Sequence, residues 1–349
     1  MGTIGQMRRL QRSGRESDRR QAAQALATSR STLAVEELIA ALGDPSVRVR
    51  QDAAEALGEI ADARAVDALV AHMLDAAGGI VRECAQALGS IADPGALSAL
   101  GIVLASGEPP EQAVAARALG RIGGSDAAGH LAARLGAQDS RLTDDVREAC
   151  ALALGEVRAP EGASALIALA LEGSRSVRIA AVRSIGEARL AGGADALCAA
   201  LRDSDPTLRS HAAAALAAIG AVDRLGPMLV ALEGIDAAVV RKQIVHAVGE
   251  MAGIGEAVYT VVSQDGMSRD ERVERLLGSA MGTSATAGAM DSYSRGDFGG
   301  ALTALLGAAT GAGSPGPREA ILTWARNTAG SRTIMAEEFL LALCAAAAD

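Results

Sequence analysis

The sequence predicts an all-α solenoid, and three observations carry that prediction. A short segment recurs roughly every 31 residues. Its apolar positions fall at helical spacing, and the apolar side chains are almost all small and aliphatic. The recurrence is clearest at VRQDAAEALG, which ends at Gly58. Copies end at Ala27, Gly89, Gly120, Gly155, Gly186, Ala217 and Gly249, with a weaker one at Gly278. Successive markers are 31, 31, 31, 35, 31, 31, 32 and 29 residues apart. A fixed period in this range is the signature of stacked supersecondary units.

Each unit reads as two helices. In Ala65–Leu74 the residues Val66, Leu69, Val70, Met73 and Leu74 make the i, i+3, i+4, i+7 stripe of an amphipathic first helix. A second helix carries Val49, Ala53, Ala56, Leu57 and Ile60 on one face, with the marker near its end. Asp62 and Asp93-Pro94 then break the chain before the next hairpin. Asp44-Pro45 and Asp205-Pro206 stand just ahead of second helices, where a carboxylate caps free backbone N–H groups. Arg50, Arg147, Arg178, Arg209 and Arg241 each lie eight residues before a marker, with Arg82 one residue out of phase. This spacing predicts a structural ladder of side-chain bonds near the recurring Asp.

The composition agrees. Of 349 residues, 50% are hydrophobic but only 1% aromatic: one Trp, two Tyr and two Phe. Ala and Leu are strong helix formers, whereas a large sheet draws on aromatic and β-branched residues. The formal charge of −9 is a poor match for a phosphate backbone, so no nucleic acid is expected as partner. The local exception is the start, where Arg8, Arg9, Arg12, Arg15, Arg19 and Arg20 face only Glu16 and Asp18. No apolar run is long enough to span a bilayer, and no CxxC or CxxH pairing points to zinc or a disulfide framework. These features predict a cytoplasmic chain.

The segment DPSVRVRQDAAEALGEIADARAVDALV (44–70) and its copies resemble HEAT repeats, in particular the short bacterial type named after phycobilisome lyases. The resemblance covers residues 16–280. It implies a right-handed superhelix of about nine HEAT-like hairpins, with the second helices on the concave face. The organisation expected is a basic leader (1–15), the repeat array (16–280), and a Gly/Ser-containing linker with an atypical helical C-terminal cap (281–349). Trp324, Phe298 and Phe339 fall in that cap and are expected in its core.

Catalytic chemistry is not expected. Deoxyhypusine hydroxylases of this repeat type hold iron with His-Glu pairs, but His72, His130, His211 and His246 are each followed by another residue type. Phycobilin lyases and HEAT-like DNA glycosylases call for aromatic walls, and residues 28–250 contain no aromatic. Cys84 and Cys150 lie five residues before their markers, where other repeats place Ala or Ile, so they read as core. No GxSxG, Walker or HExxH motif is present, and the Gly-rich SATAG and GAATGAG lack a strand-turn-helix setting. The chain is expected to need no metal or cofactor.

Second-helix positions one turn from the core stripe are expected to face a binding surface. They comprise Asp52, Glu55, Glu59, Glu83 and Gln86 in the early repeats, Arg117, Arg121 and Arg183 in the middle, and His211, Gln243, His246 and Glu250 later. An acidic early stretch suits a protein or peptide partner carrying basic residues. The expectation is a non-enzymatic protein-binding scaffold. A second expectation is a regulatory domain of a membrane transporter or assembly, with a membrane-associated partner and a juxtamembrane Arg8–Arg20 segment. A third is a lyase- or hydroxylase-type enzyme.

Overall fold

A computed structural model describes residues 5–6, 9, 12–75, 79–137, 139, 141–233, 238–263, 268–280, 283–308, 316–331 and 333–347. Arg8 and the Gly-rich stretch 309–315 lie outside them. Among the described residues the regular structure is helical throughout, with no strand. The chain forms two compact units, Met1–Ala188 and Arg189–Asp349.

The first unit contains α1 (Glu16–Ser29), α2 (Val35–Ala41), α3 (Val47–Ile60), α4 (Val66–Leu74), α5 (Val81–Ile91) and α6 (Leu97–Ser106). It continues through α7 (Pro109–Ile122), α8 (Gly124–Leu135), α9 (Asp144–Val157), α10 (Ala163–Glu172) and α11 (Arg175–Glu187). Odd-numbered helices are the second helices of the hairpins. From α1 to α11 each odd-numbered helix packs on the next, and α3 to α11 also pack on their own hairpin mates, so each hairpin covers the apolar face of its neighbour. Val49, Ala53, Ala56 and Leu57 are fully buried, as expected; Leu74 is 46% exposed and leaves the expected stripe at the last turn of a short helix.

The marker glycine sets how closely second helices approach. A methyl group on Gly58 would lie 2.8 Å from the Ala87 Cα; one on Gly89 would lie 2.8 Å from the Ala118 Cα. On Gly120 it would lie 2.9 Å from the Ala153 Cα. Backbone meets backbone at these three points, and the residue opposite is the Ala two places before the next marker; at Gly155 that position is Ser184.

Second helices end in a left-handed residue that turns the chain towards the next hairpin. Ala61 (φ 56°), Ala92 (φ 57°) and Arg158 (φ 55°) hold this conformation without being glycine. An L-residue there carries a cost of about 1–2 kcal/mol, part of which glycine gives back through its freer unfolded chain. Ala92→Gly is therefore expected to raise stability by about 0.5–1 kcal/mol, read as a higher denaturation midpoint in urea. Asp62 and Asp93 then accept the N–H groups of Arg64 and Gly95, opening short 3₁₀ turns into α4 and α6.

The second unit contains α12 (Ala194–Ala200), α13 (Pro206–Ile219), α14 (Leu225–Glu233), α15 (Ala238–Met251), α16 (Gly255–Ser263) and α17 (Arg269–Ala280). It ends with α18 (Thr283–Ser294), α19 (Phe298–Ala308), α20 (Pro317–Ala329) and α21 (Ala336–Ala347). Beyond the two glutamates of its first turn α21 is apolar on all sides, and it packs against α15, α16, α17, α19 and α20, with Phe339 through Ala345 buried. Tyr293, Phe298 and Phe339 cluster with ring centroids 5.4–6.1 Å apart. Trp324 is buried, and its indole N–H donates to Glu233 at 3.2 Å. Tyr293, Phe298, Trp324 and Phe339 therefore help build the core of this unit, while Tyr259 is 52% exposed.

Candidate functional site

The expected arginine ladder takes a different form from an Arg–Asp series. Arg50, Arg178 and Arg209 donate to the carbonyls of Asp44 (2.7 Å), Ala170 (3.1 Å) and Asp203 (3.2 Å), at the ends of first helices. Arg147 donates to the Asp144 carboxylate at 3.0 Å, and Arg241 lies 3.5 Å from Glu337. Most of these side chains hold carbonyls left free where a helix stops. The capping carboxylates are as expected: Asp44 accepts from the Ser46 N–H and Asp205 from the Thr207 N–H. Burial works against the Asp44 carboxylate, but the Arg19 guanidinium and the Ser46 N–H outweigh it and hold its pKa below the ordinary value.

A second polar ladder joins consecutive second helices. The residue seven before one marker donates to the residue six before the next. Arg20 meets Asp52 at 2.7 Å, Gln51 meets Glu83 at 3.1 Å, and Ser210 meets Gln243. Gln24 adds a bond to Asp52 at 3.0 Å. Asp52 is only 6% exposed. Contrary to expectation, it belongs to the joint between repeats and not to a solvent-facing surface.

Five of the expected residues come together. Glu55, Glu59, Glu83, Gln86 and Arg121 line one hollow of about 720 Å³ across α3 and α5. Arg30, the left-handed residue closing α1, and Ser90 also line it. The floor is Gly58, Ala87 and Gly89, the same residues that let the helices touch. A floor with nothing larger than the Ala87 methyl group and carboxylates on the walls follow from one repeating pattern.

The carboxylates of the hollow repel one another. The Glu55 pKa is raised, first by burial and then by Asp52, Glu83 and Glu59, with Arg20 opposing. A carboxyl group that binds its proton more tightly when folded loses stability as pH rises through the window just above its unfolded value of 4.5. Glu55→Gln is therefore expected to stabilise the chain at pH 7, with the gain vanishing below that value; melting temperatures across pH 4–8 read this directly.

The remaining expected residues stand apart from the hollow. Arg117 is exposed on α7, and Arg183 pairs with Glu187 at 3.2 Å on α11. In the second unit His211 is half-buried on α13, and Gln243, His246 and Glu250 lie on α15. His246 packs at 6.0 Å from the Tyr259 ring; burial, then Lys242, lowers its pKa against the pull of Glu250. Among the described residues no three His, Cys, Asp or Glu are grouped as a metal ion would require. The Cys84, Cys150 and Cys344 thiols are buried, and burial pushes each up to about 12, so none is a thiolate nucleophile near neutral pH. Among the described residues no helix is long and apolar enough to cross a membrane.

Stacked hairpins with a concavity across their second helices define an α-solenoid repeat protein. The family models agree: HEAT repeats match residues 7–89 and 170–249, and a PBS lyase HEAT-like repeat matches 146–172. The chain belongs to the HEAT-repeat proteins. No curated protein matches it. Among solved structures it is similar to importin beta, at 16% identity and TM-score 0.57, over 98% of this chain and 56% of that one. It also matches the CpcE–CpcF phycocyanin lyase complex from Nostoc sp. PCC7120, at 22% identity and TM-score 0.36, over 72% and 94% of the two chains. Human deoxyhypusine hydroxylase matches at 23% identity and TM-score 0.32, over 71% and 95%. At 16% identity the likeness to importin beta extends to the fold alone.

Proposed function

We propose that the chain is a non-enzymatic scaffold that binds a protein or peptide segment rich in Lys and Arg in the hollow of its first unit. One observation carries this reading: Glu55, Glu59 and Glu83 wall a concavity whose floor has no side chain larger than a methyl group. An extended backbone can lie on that floor while its basic side chains reach the carboxylates. Bringing a cation to Glu55 also relieves repulsion already present in the free chain. The raised pKa gives the pH response its sign: affinity is expected to fall as Glu55 takes up its proton.

The test is fluorescence anisotropy with two labelled twelve-residue peptides, one of alternating Arg and Ser and one of alternating Glu and Ser. The basic peptide is expected to bind and the acidic one not, with affinity falling as salt rises from 50 to 300 mM. Equal binding of both peptides, or of neither, overturns the reading.

A further inference from the structure

A second concavity, of about 470 Å³, lies at the start of α5, between the end of α4 and the turn from α6 to α7. Leu74, Val81 and Ile102 line it, and its charged lining is three carboxylates, Glu83, Glu108 and Glu111, with one guanidinium, Arg82. Leu74 is 46% and Ile102 54% exposed, both large aliphatic side chains left in water. Glu83 lines this notch and the acidic hollow alike, so the two are neighbours that share one side chain. From Val81 in the notch to Gln86 and Gly89 in the hollow, α5 rises roughly 10 Å, a distance that about three residues of extended chain cover.

We infer that the occupant is a bipartite segment: an aliphatic anchor seated in the notch on Leu74 and Ile102, about three residues from a basic stretch in the hollow. This rests on the reading of the hollow as a site for basic chain and adds the element that selects among basic segments. Charge alone does not discriminate well between one Lys- or Arg-rich stretch and another, because the exposed carboxylates are screened and tolerant of geometry. The notch supplies an apolar contact of fixed position beside them. Its mainly acidic charged lining favours an anchor flanked by Lys or Arg; Glu111 is itself held in place, accepting the Glu108 N–H at 2.9 Å.

The experiment compares the full chain and its Ile102→Asp variant against two labelled peptides of equal charge. One carries four Arg separated by Ser; the other carries the same four Arg preceded, three residues away, by Leu-Leu. The anchored peptide is expected to bind the full chain at least tenfold more tightly, and Ile102→Asp to bring it back to the affinity of the plain one. Because Ile102 is exposed, that variant is expected to fold, which circular dichroism checks. Equal affinity of the two peptides for the full chain overturns the inference while leaving the basic-segment reading intact. Failure of both peptides to bind overturns both. A dimer of the full chain that Ile102→Asp dissociates would identify a second copy as the occupant of the notch and overturn the inference as well.

Discussion

Gly89→Val is expected to remove a large share of the stability of the first unit. The new Cβ would stand 2.8 Å from the Ala118 Cα and 2.9 Å from its Cβ, against backbone on both sides. No side chain can rotate away, so α5 and α7 must separate, and the cavity that opens extends along both helices. Overpacking of this kind costs about 1–3 kcal/mol and occasionally more, against a total stability of about 5–15 kcal/mol for a domain. Urea denaturation followed by far-UV circular dichroism should show the loss as an early first transition. Gly129→Ala is the matched control. Gly129 is exposed in α8 with open space around it, and there alanine is expected to stabilise by up to about 1 kcal/mol. Loss at Gly129 of the same size as at Gly89 would mean that the close contact between second helices is not what the marker glycine provides.

The second large effect is on binding. Glu55→Lys with Glu59→Lys is expected to weaken the alternating Arg/Ser peptide by about a hundredfold. Each change removes an attraction and adds a repulsion, and like charges brought face to face cost several kcal/mol, of which about 2.7 kcal/mol corresponds to that factor. The fold is expected to survive, because both side chains are exposed and Glu55 is already repelled by Asp52, Glu83 and Glu59. Asp52 has to be left out of such a variant. Its carboxylate is buried against Arg20 and Gln24, so a lysine there would break the joint between α1 and α3 and confuse lost binding with lost structure. Unchanged peptide affinity in the double variant would remove the hollow from the binding reaction.

The fold was legible because a single period repeats the same apolar pattern, and each copy averages out the ambiguity of the others. Glu55, Glu59, Glu83, Gln86 and Arg121 were legible as a group for the same reason: positions of equal phase stack on one face. Asp52 shows where that logic stops. Its partner, Arg20, sits at a different phase in the preceding repeat, and only a comparison of two phases across neighbouring repeats reveals the pair. Arg30 was missed because it lies outside every periodic row; a left-handed turn with φ 46° brings it to the hollow. Leu74 was assigned to the core by spacing, yet α4 ends at that residue and leaves it 46% exposed.

The glycine-to-alanine contact between second helices has a consequence for how such a chain changes length. Gly58 faces Ala87, Gly89 faces Ala118 and Gly120 faces Ala153, so the three mating surfaces are nearly interchangeable. Excising residues 90–120 would present Gly89 to Ala153 with the same fit, and duplicating them would offer each new glycine an alanine of its own. Recombination in whole units can thus shorten or extend the array without fresh repacking, and with it the span of partner that the surface reads.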